Sequence, residues 1–338
     1  MRIAILDDYQ DCVRTLDAFG ALAGHDVRVL ARGFADEAHL AGAIGDAQAI
    51  VTIRERSRIG RSLLERLPGL ELVSQTGRAG AHIDQAACTE RGVAIAAGSG
   101  SPHAPAELAW ALVLAARRRI VPEAHSLRSG GWQTGLGITV RGRTLGVLGY
   151  GGIGRLVAGF GRAFGMRVVA HGREGSRARA QADGVEFEPD RAALFARSDV
   201  LSVHLRLAPE TRGSIGAADL AAMGTDALFV NTSRAELLAP GVLEAALRAG
   251  RPGFAAVDVF EREPAAGDAL LALPNVLATP HLGYVERDGY ELYFGEAFGH
   301  VLDYAAGRPS GLVNPEALAV PGRPGGIRAS WPRTPATR

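Results

Sequence analysis

The sequence contains no lysine, so all 37 of its basic side chains are arginines. That absence excludes Schiff-base chemistry on a lysine amine and a phosphate loop of the Walker type. Cysteine is scarce: Cys12 and Cys88 lie far apart without a Cys-x-x-Cys spacing, which speaks against a zinc or other metal site and against a disulfide framework. Both thiols are expected to be free and at least half-buried. Net charge is close to nil, with 37 basic residues against 36 acidic ones, so nothing draws the chain to nucleic acid or to an acidic membrane. No apolar stretch approaches the ~20 residues that cross a bilayer. The opening MRIAILDDYQ places acids directly after a short apolar run, unlike a secretory signal, and a cytoplasmic location is expected.

What the chain does have is the make-up of a soluble globular enzyme, 47% hydrophobic and 22% charged over 338 residues, a length that suits about two domains. Short β-like runs at 3–6, 27–30, 49–53, 72–75 and 93–96 alternate with helix-compatible stretches at 37–44, 61–67 and 83–91. Strands alternating with helices predict a parallel sheet covered on both faces. A Gly/Ser/Pro cluster at 98–102 then precedes a long apolar helix expected over 105–118, which reads as a domain boundary or hinge. A second alternating series follows, with six strands expected at 144–148, 168–170, 200–205, 228–231, 254–258 and 276–278. Residues 286–306 read as a long closing helix, and the Pro- and Arg-rich end, 319–338, as a disordered tail. The fold class is therefore α/β, with two doubly wound parallel-sheet domains, the second of them suited to binding a dinucleotide.

The most specific local signal is Gly149-Tyr150-Gly151-Gly152-Ile153-Gly154, which follows the apolar run TLGVL and opens a helical pattern. Strand, turn and helix in that order make it a dinucleotide fingerprint. Gly149 permits the tight turn, Gly151 lets backbone approach a pyrophosphate, and Gly154 lets helix and strand pack closely. The helix start would present N–H groups and partial positive charge to the phosphates. The next strand ends in Gly172 and Arg173 rather than in the acid that usually grips an adenosine ribose. That leaves the cofactor as NAD(H) or NADP(H), with a lean to NADP(H) because Arg173 can attract a 2′-phosphate.

Three further strand ends carry polar groups suited to one reaction. Arg234 follows LFVNTS, Glu263 follows AVDVFER, and His281 follows LATP. A guanidinium that clamps a carboxylate, a carboxylate that tunes an imidazole, and an imidazole that moves a proton are the parts needed to reduce a 2-keto acid beside a dinucleotide. His204, also past a strand, is expected to support the cofactor site rather than to do chemistry, and Arg206 to be a solvated loop residue that could meet an extra anionic group.

With these segments in view, the chain resembles the D-isomer-specific 2-hydroxyacid dehydrogenases. The matching stretches are GRAGAHID at 77–84, TLGVLGYGGIG at 144–154, VHLRLAPETRG at 203–213, FVNTSR at 229–234, AVDVFEREP at 256–264 and TPHLG at 279–283, in the family's order. The resemblance implies a flavodoxin-like substrate domain over 1–98 plus 286–318 and a Rossmann dinucleotide-binding domain over 99–285 around a cleft. It implies a 2-keto acid reductase with His281 as acid/base, Glu263 on its other ring nitrogen favouring the imidazolium, and Arg234 anchoring the substrate carboxylate. It implies that the loop of Arg78, Ala79 and Gly80 completes carboxylate binding through backbone N–H groups. Asp258 would meet the nicotinamide carboxamide, and Thr232, Ser233, Gly283 and His204 would line the cofactor crevice. A glutamine would stand at Glu263 in a formate dehydrogenase, so that activity is disfavoured. The expected partners are a small 2-keto or 2-hydroxy acid and, from the family, a second copy of the chain. The rival is a dinucleotide-sensing binding protein, since the family also contains a corepressor and fold alone does not fix function.

Overall fold

In the computed structural model, which describes residues 1–325, the apolar runs become strands, most of them buried on both faces. The chain forms two compact units, Met1–Ser101 joined by the segment from Glu286 onward, and Pro102–Val285. In the first, β1 (Arg2–Ile5), β2 (Asp26–Val29), β3 (Ala49–Thr52), β4 (Leu72–Gln75) and β5 (Ala94–Ala97) pair in the order β2-β1-β3-β4-β5, all parallel. This is the flavodoxin-like order, which reverses direction between β1 and β3. One face is sealed by a cluster that includes Ile50, Val73, Ile95, Leu63 and Ile83. The closing helix Arg287–Ala305 belongs to the same unit and buries Tyr290, Tyr293, Phe294, Phe298 and Tyr304. Asp36 and Asp84 start their helices by accepting hydrogen bonds from the amides of His39 and Ala87, so side-chain chemistry fixes where these helices begin.

The second unit contains β6 (Thr144–Leu148), β7 (Arg167–His171), β8 (Glu186–Phe187), β9 (Val200–Val203), β10 (Leu228–Asn231), β11 (Phe254–Val257) and β12 (Val276–Ala278). They form one parallel sheet in the order β12-β11-β10-β9-β6-β7-β8. Along β10, Leu228 and Val230 enter one core cluster and Phe229 the other, so alternate residues seal opposite faces. The order is that of a Rossmann sheet with an added strand, and the crevice at its switch point lies between β6 and β9.

The apolar runs predict six strands here, and the sheet has seven. The extra one, β8, is two residues long and carries a single apolar side chain, too little for a period to register. Helices Ile120–Arg128 and Glu174–Ala182 were also not anticipated; the first buries no residue and the second only Ser176 and Ala180, so neither shows an apolar stripe. The expected disordered tail needs correcting at its start. Pro315–Ala319 is a 3-10 turn, and Arg323 is buried, with its guanidinium 5.8 Å from the Tyr304 ring centroid and its stem against Gly92. An arginine that buries its stem reads from sequence as a solvated one. The remainder of that expectation, 326–338, lies outside the described residues.

Candidate active site

The glycine turn sits where the sheet order reverses. Gly149 leaves β6 with φ 98°, and a Cβ there would lie 2.7 Å from the carbonyl oxygen of His204, so geometry and space both demand glycine. A Cβ on Gly154 would run into the carbonyl of Gly149, which is how the helix Gly152–Ala163 comes close enough to the turn to aim its first amides across it. Beside Gly151 a Cβ would meet no atom within 4 Å. His204 flanks the same turn: its amide donates to Leu148 O, and its ring Nε2 lies 2.8 Å from Ser202 Oγ. Its Nδ1 is buried with no hydrogen-bond partner among the described residues, and burial pulls the imidazole down to about 4, so the ring is neutral at pH 7. An open backbone cradle next to an orphaned ring nitrogen fits a dinucleotide.

Strands β10, β11 and β12 deliver the polar groups. Beyond β10, Asn231 Nδ2 donates to Arg234 O and Ser233 Oγ donates to Val203 O, while Arg234 Nη1 reaches Ser233 O at 2.7 Å. Thr232 and Ser233 are half-buried on this turn. Beyond β11, Asp258 is fully buried. Its Oδ1 accepts from Thr279 Oγ1 at 2.6 Å and from Leu282 N at 2.7 Å, and its Oδ2 from Gly283 N at 2.9 Å. Burial pushes this carboxyl up, against the three donors that favour its charged form. Asp258 thus ties down the turn after β12, in which His281 takes a left-handed φ of 53°. The contact expected between Asp258 and a nicotinamide carboxamide has to share these oxygens with internal donors.

His281 and Glu263 meet as a pair. Nδ1 of His281 lies 2.7 Å from Glu263 Oε2, and Glu263 Oε1 accepts from Phe260 N at 3.0 Å. The Tyr284 ring packs edge-on to the imidazole at 5.2 Å. Burial pushes the Glu263 carboxyl up, but the hydrogen bond and charge of His281, the Phe260 amide and the charge of Arg234 outweigh it. The carboxyl therefore titrates below its ordinary 4.5, and a carboxylate faces the imidazole at neutral pH. With Nδ1 taken, Nε2 is the nitrogen left to exchange a proton with a ligand. Arg234, Glu263 and His281 are thus brought into one electrostatic neighbourhood.

The other expected positions fall as follows. Arg78 is exposed and Ala79 and Gly80 half-buried on the loop after β4, in the first unit. Arg173 is exposed and precedes the helix Glu174–Ala182, whose own acid, Glu174, is engaged by Arg177 at 3.7 Å. Arg206 is exposed, with its carbonyl accepting from Thr211 Oγ1. Two features escaped the sequence reading. A groove of about 530 Å³ lies along helix Gly152–Ala163, with Tyr150, Arg155 and Asp183 among its walls and none of the trio. Asp183 there accepts from Tyr150 and from Arg155 Nε and Nη2, and burial together with Asp183 pushes the Tyr150 phenol up to about 12. The second is a buried polar network under the loop after β4, which long-range pairing alone creates. Among the described residues no cluster of His, Cys, Asp and Glu is placed to hold a metal, and no helix is long and apolar enough to cross a membrane.

Comparison with known proteins matches residues 110–283 to the NAD binding domain of the D-isomer specific 2-hydroxyacid dehydrogenases. A glyoxylate reductase of Aeropyrum pernix is 38% identical over 81% of this chain and 85% of its own. A D-3-phosphoglycerate dehydrogenase of Methanocaldococcus jannaschii is 34% identical over 84% of this chain but only 53% of its own, so the chain spans about half of that relative. Among solved structures, an oxidoreductase from Ralstonia solanacearum superposes with a TM-score of 0.93 at 52% identity, covering 94% of this chain and 98% of that one.

Proposed function

Because this chain belongs to the D-isomer specific 2-hydroxyacid dehydrogenase family, we propose that it works as a 2-keto acid reductase with His281 as the acid/base. The family makes it an oxidoreductase acting on CH–OH donors, with a nicotinamide dinucleotide as cofactor. When bound, that cofactor supplies or accepts the hydride. Gly149, Gly151, Gly152, Ile153 and Gly154 would hold its pyrophosphate through backbone N–H groups. His204 Nδ1, Thr232, Ser233, Asp258 and Gly283 would line the rest of its site. The Arg234 guanidinium would clamp the substrate carboxylate and polarise the neighbouring carbonyl. Backbone N–H groups of Arg78, Ala79 and Gly80 would complete carboxylate binding. His281 Nε2 would hand its proton to the carbonyl oxygen, and Glu263 would stabilise the protonated ring until then.

The observation that carries this reading is the 2.7 Å contact between His281 Nδ1 and Glu263 Oε2, which orients the ring and reserves Nε2 for the substrate. Arg173, with no carboxylate at the tip of β7, favours NADP(H) over NAD(H). The exposed apolar side chains Ile120, Val121, Leu127, Trp132 and Leu136 suit a face that meets a second copy, and two free thiols suit a cytoplasmic location. The test is to mix the protein with NADPH or NADH and glyoxylate, hydroxypyruvate, pyruvate or phenylpyruvate, and to follow nicotinamide absorbance. Turnover with at least one acid is expected. Tight cofactor binding without turnover on any of them would reject the enzyme reading in favour of a dinucleotide sensor.

A further inference from the structure

The loop assigned above to the substrate carboxylate rests on one buried amide. Gln75, the last residue of β4, is 1% exposed and makes four hydrogen bonds. Its Nε2 donates to Arg54 O at 3.1 Å and to Thr76 O at 3.0 Å. Its Oε1 meets Thr52 Oγ1 and, at 3.0 Å, His82 Nε2. Two carbonyls can only accept, so the amide orientation is fixed, and Oε1 must be the acceptor of both remaining bonds. Thr52 therefore donates its hydroxyl proton, and His82 carries its proton on Nε2. All four hydrogen-bonding sites of the amide are satisfied, the condition under which a buried polar network adds rigidity.

The partners of that amide belong to three segments: the exit of β3 (Thr52 and Arg54), the exit of β4 (Thr76), and the far end of the 77–84 loop (His82). Thr76 closes the set, its hydroxyl donating to Thr52 O and accepting from Arg54 N. The His82 ring also lies against the loop itself, since a Cβ on Gly80 would be 3.2 Å from its Nδ1. The N–H groups of a short loop can converge on an anion only if the loop holds one conformation, and here its far end is pinned to the sheet through His82 and Gln75. Backbone bonds pin both ends as well: Gly98 N donates to Gly77 O at 2.9 Å, and beyond the turn Ile59 N donates to His82 O at 2.8 Å and Asp84 N to Ile59 O at 2.9 Å, which leaves the His82 ring as the side-chain tie nearest residues 78–80.

We propose that Gln75 and His82 are positioning residues that hold the Arg78–Gly80 backbone in its carboxylate-receiving shape, an inference that rests on the 2-keto acid reductase reading for its consequence in turnover. His82 is the residue to change, because it is half-buried and its removal spares the core. His82→Ala should raise KM for glyoxylate, or for whichever of the four acids is best used, by about tenfold. It should leave kcat within about twofold and the NADH dissociation constant unchanged. His82→Gln, which retains an N–H donor, should recover most of the lost affinity. Amide hydrogen exchange supplies a readout that needs no turnover: exchange at residues 77–81 should speed up in His82→Ala and return toward normal in His82→Gln. Unaltered exchange at 77–81 would overturn the proposal. So would a parallel fall of KM performance, kcat and cofactor affinity together, which marks general destabilisation. Faster exchange with no turnover even in the unmutated protein would uphold the positioning role and reject the reductase reading.

Discussion

The exits of β3 and β4 in the five-stranded sheet and of β10, β11 and β12 in the seven-stranded sheet present polar groups in contrasting ways; the buried Asp7 and Asp8 beyond β1 lie outside that contrast. At the edge of the five-stranded sheet, Thr52, Gln75 and Thr76 hold the backbone with uncharged hydroxyls and an amide, all buried. At the edge of the seven-stranded sheet, Asp258, Glu263, His281 and Arg234 do the corresponding work with ionisable groups. A loop that receives an anion through its N–H groups needs shape alone, and neutral groups fix shape without a charge to desolvate. A group that moves a proton must itself ionise, and a carboxylate beside an imidazole stabilises its charged form. Of these two loop systems, the one after β10, β11 and β12 should therefore be the more sensitive to pH and to charge-removing substitutions.

The contrast breaks most visibly at Arg234. Arg234→Ala should lower kcat/KM on the order of 10³-fold while the NADH dissociation constant holds, since the lost contact is to substrate in the transition state. An equal loss of NADH affinity, measured by fluorescence titration, would move Arg234 to the cofactor. Next in size is Gly154→Ala, whose Cβ runs into the Gly149 carbonyl. It should cost about 1–3 kcal/mol of stability and weaken cofactor binding, read from urea unfolding with and without NADH. Arg173→Ala should weaken NADPH by about tenfold and leave NADH unchanged; equal effects on both would discard the NADP(H) preference. The smallest effect concerns His204, held by burial at about 4 against an ordinary 6.5. A histidine depressed in the folded state contributes stability above its unfolded value that is lost as pH falls toward the folded one. Urea midpoints should therefore drop between pH 6.5 and pH 4, less steeply in His204→Asn; identical slopes would show that His204 is not held neutral.

How much of this was legible in the sequence depended on the kind of signal. Strands such as β4, β6 and β10 stand out because buried parallel strands are continuous apolar runs, and their expected limits match the observed ones. The candidate site positions stand out for the same reason, as polar residues just past such runs are where open α/β sheets bind ligands. Distances do not: nothing in the order of residues reveals that Asp258 spends both oxygens on the turn carrying His281, or that Gln75 and His82 touch. Segments without an apolar stripe escaped too, as helix Glu174–Ala182 and strand β8 illustrate, and so did the buried Arg323.

The central claim is that the His281–Glu263 pair performs the proton transfer, and His281→Ala addresses it most directly. Steady-state turnover of a 2-keto acid should fall by roughly 10³-fold or more, in the range expected for loss of a general acid, while NADH binds as tightly as before. A variant that kept its rate within a few-fold would remove His281 from the mechanism and, with it, the account of this site.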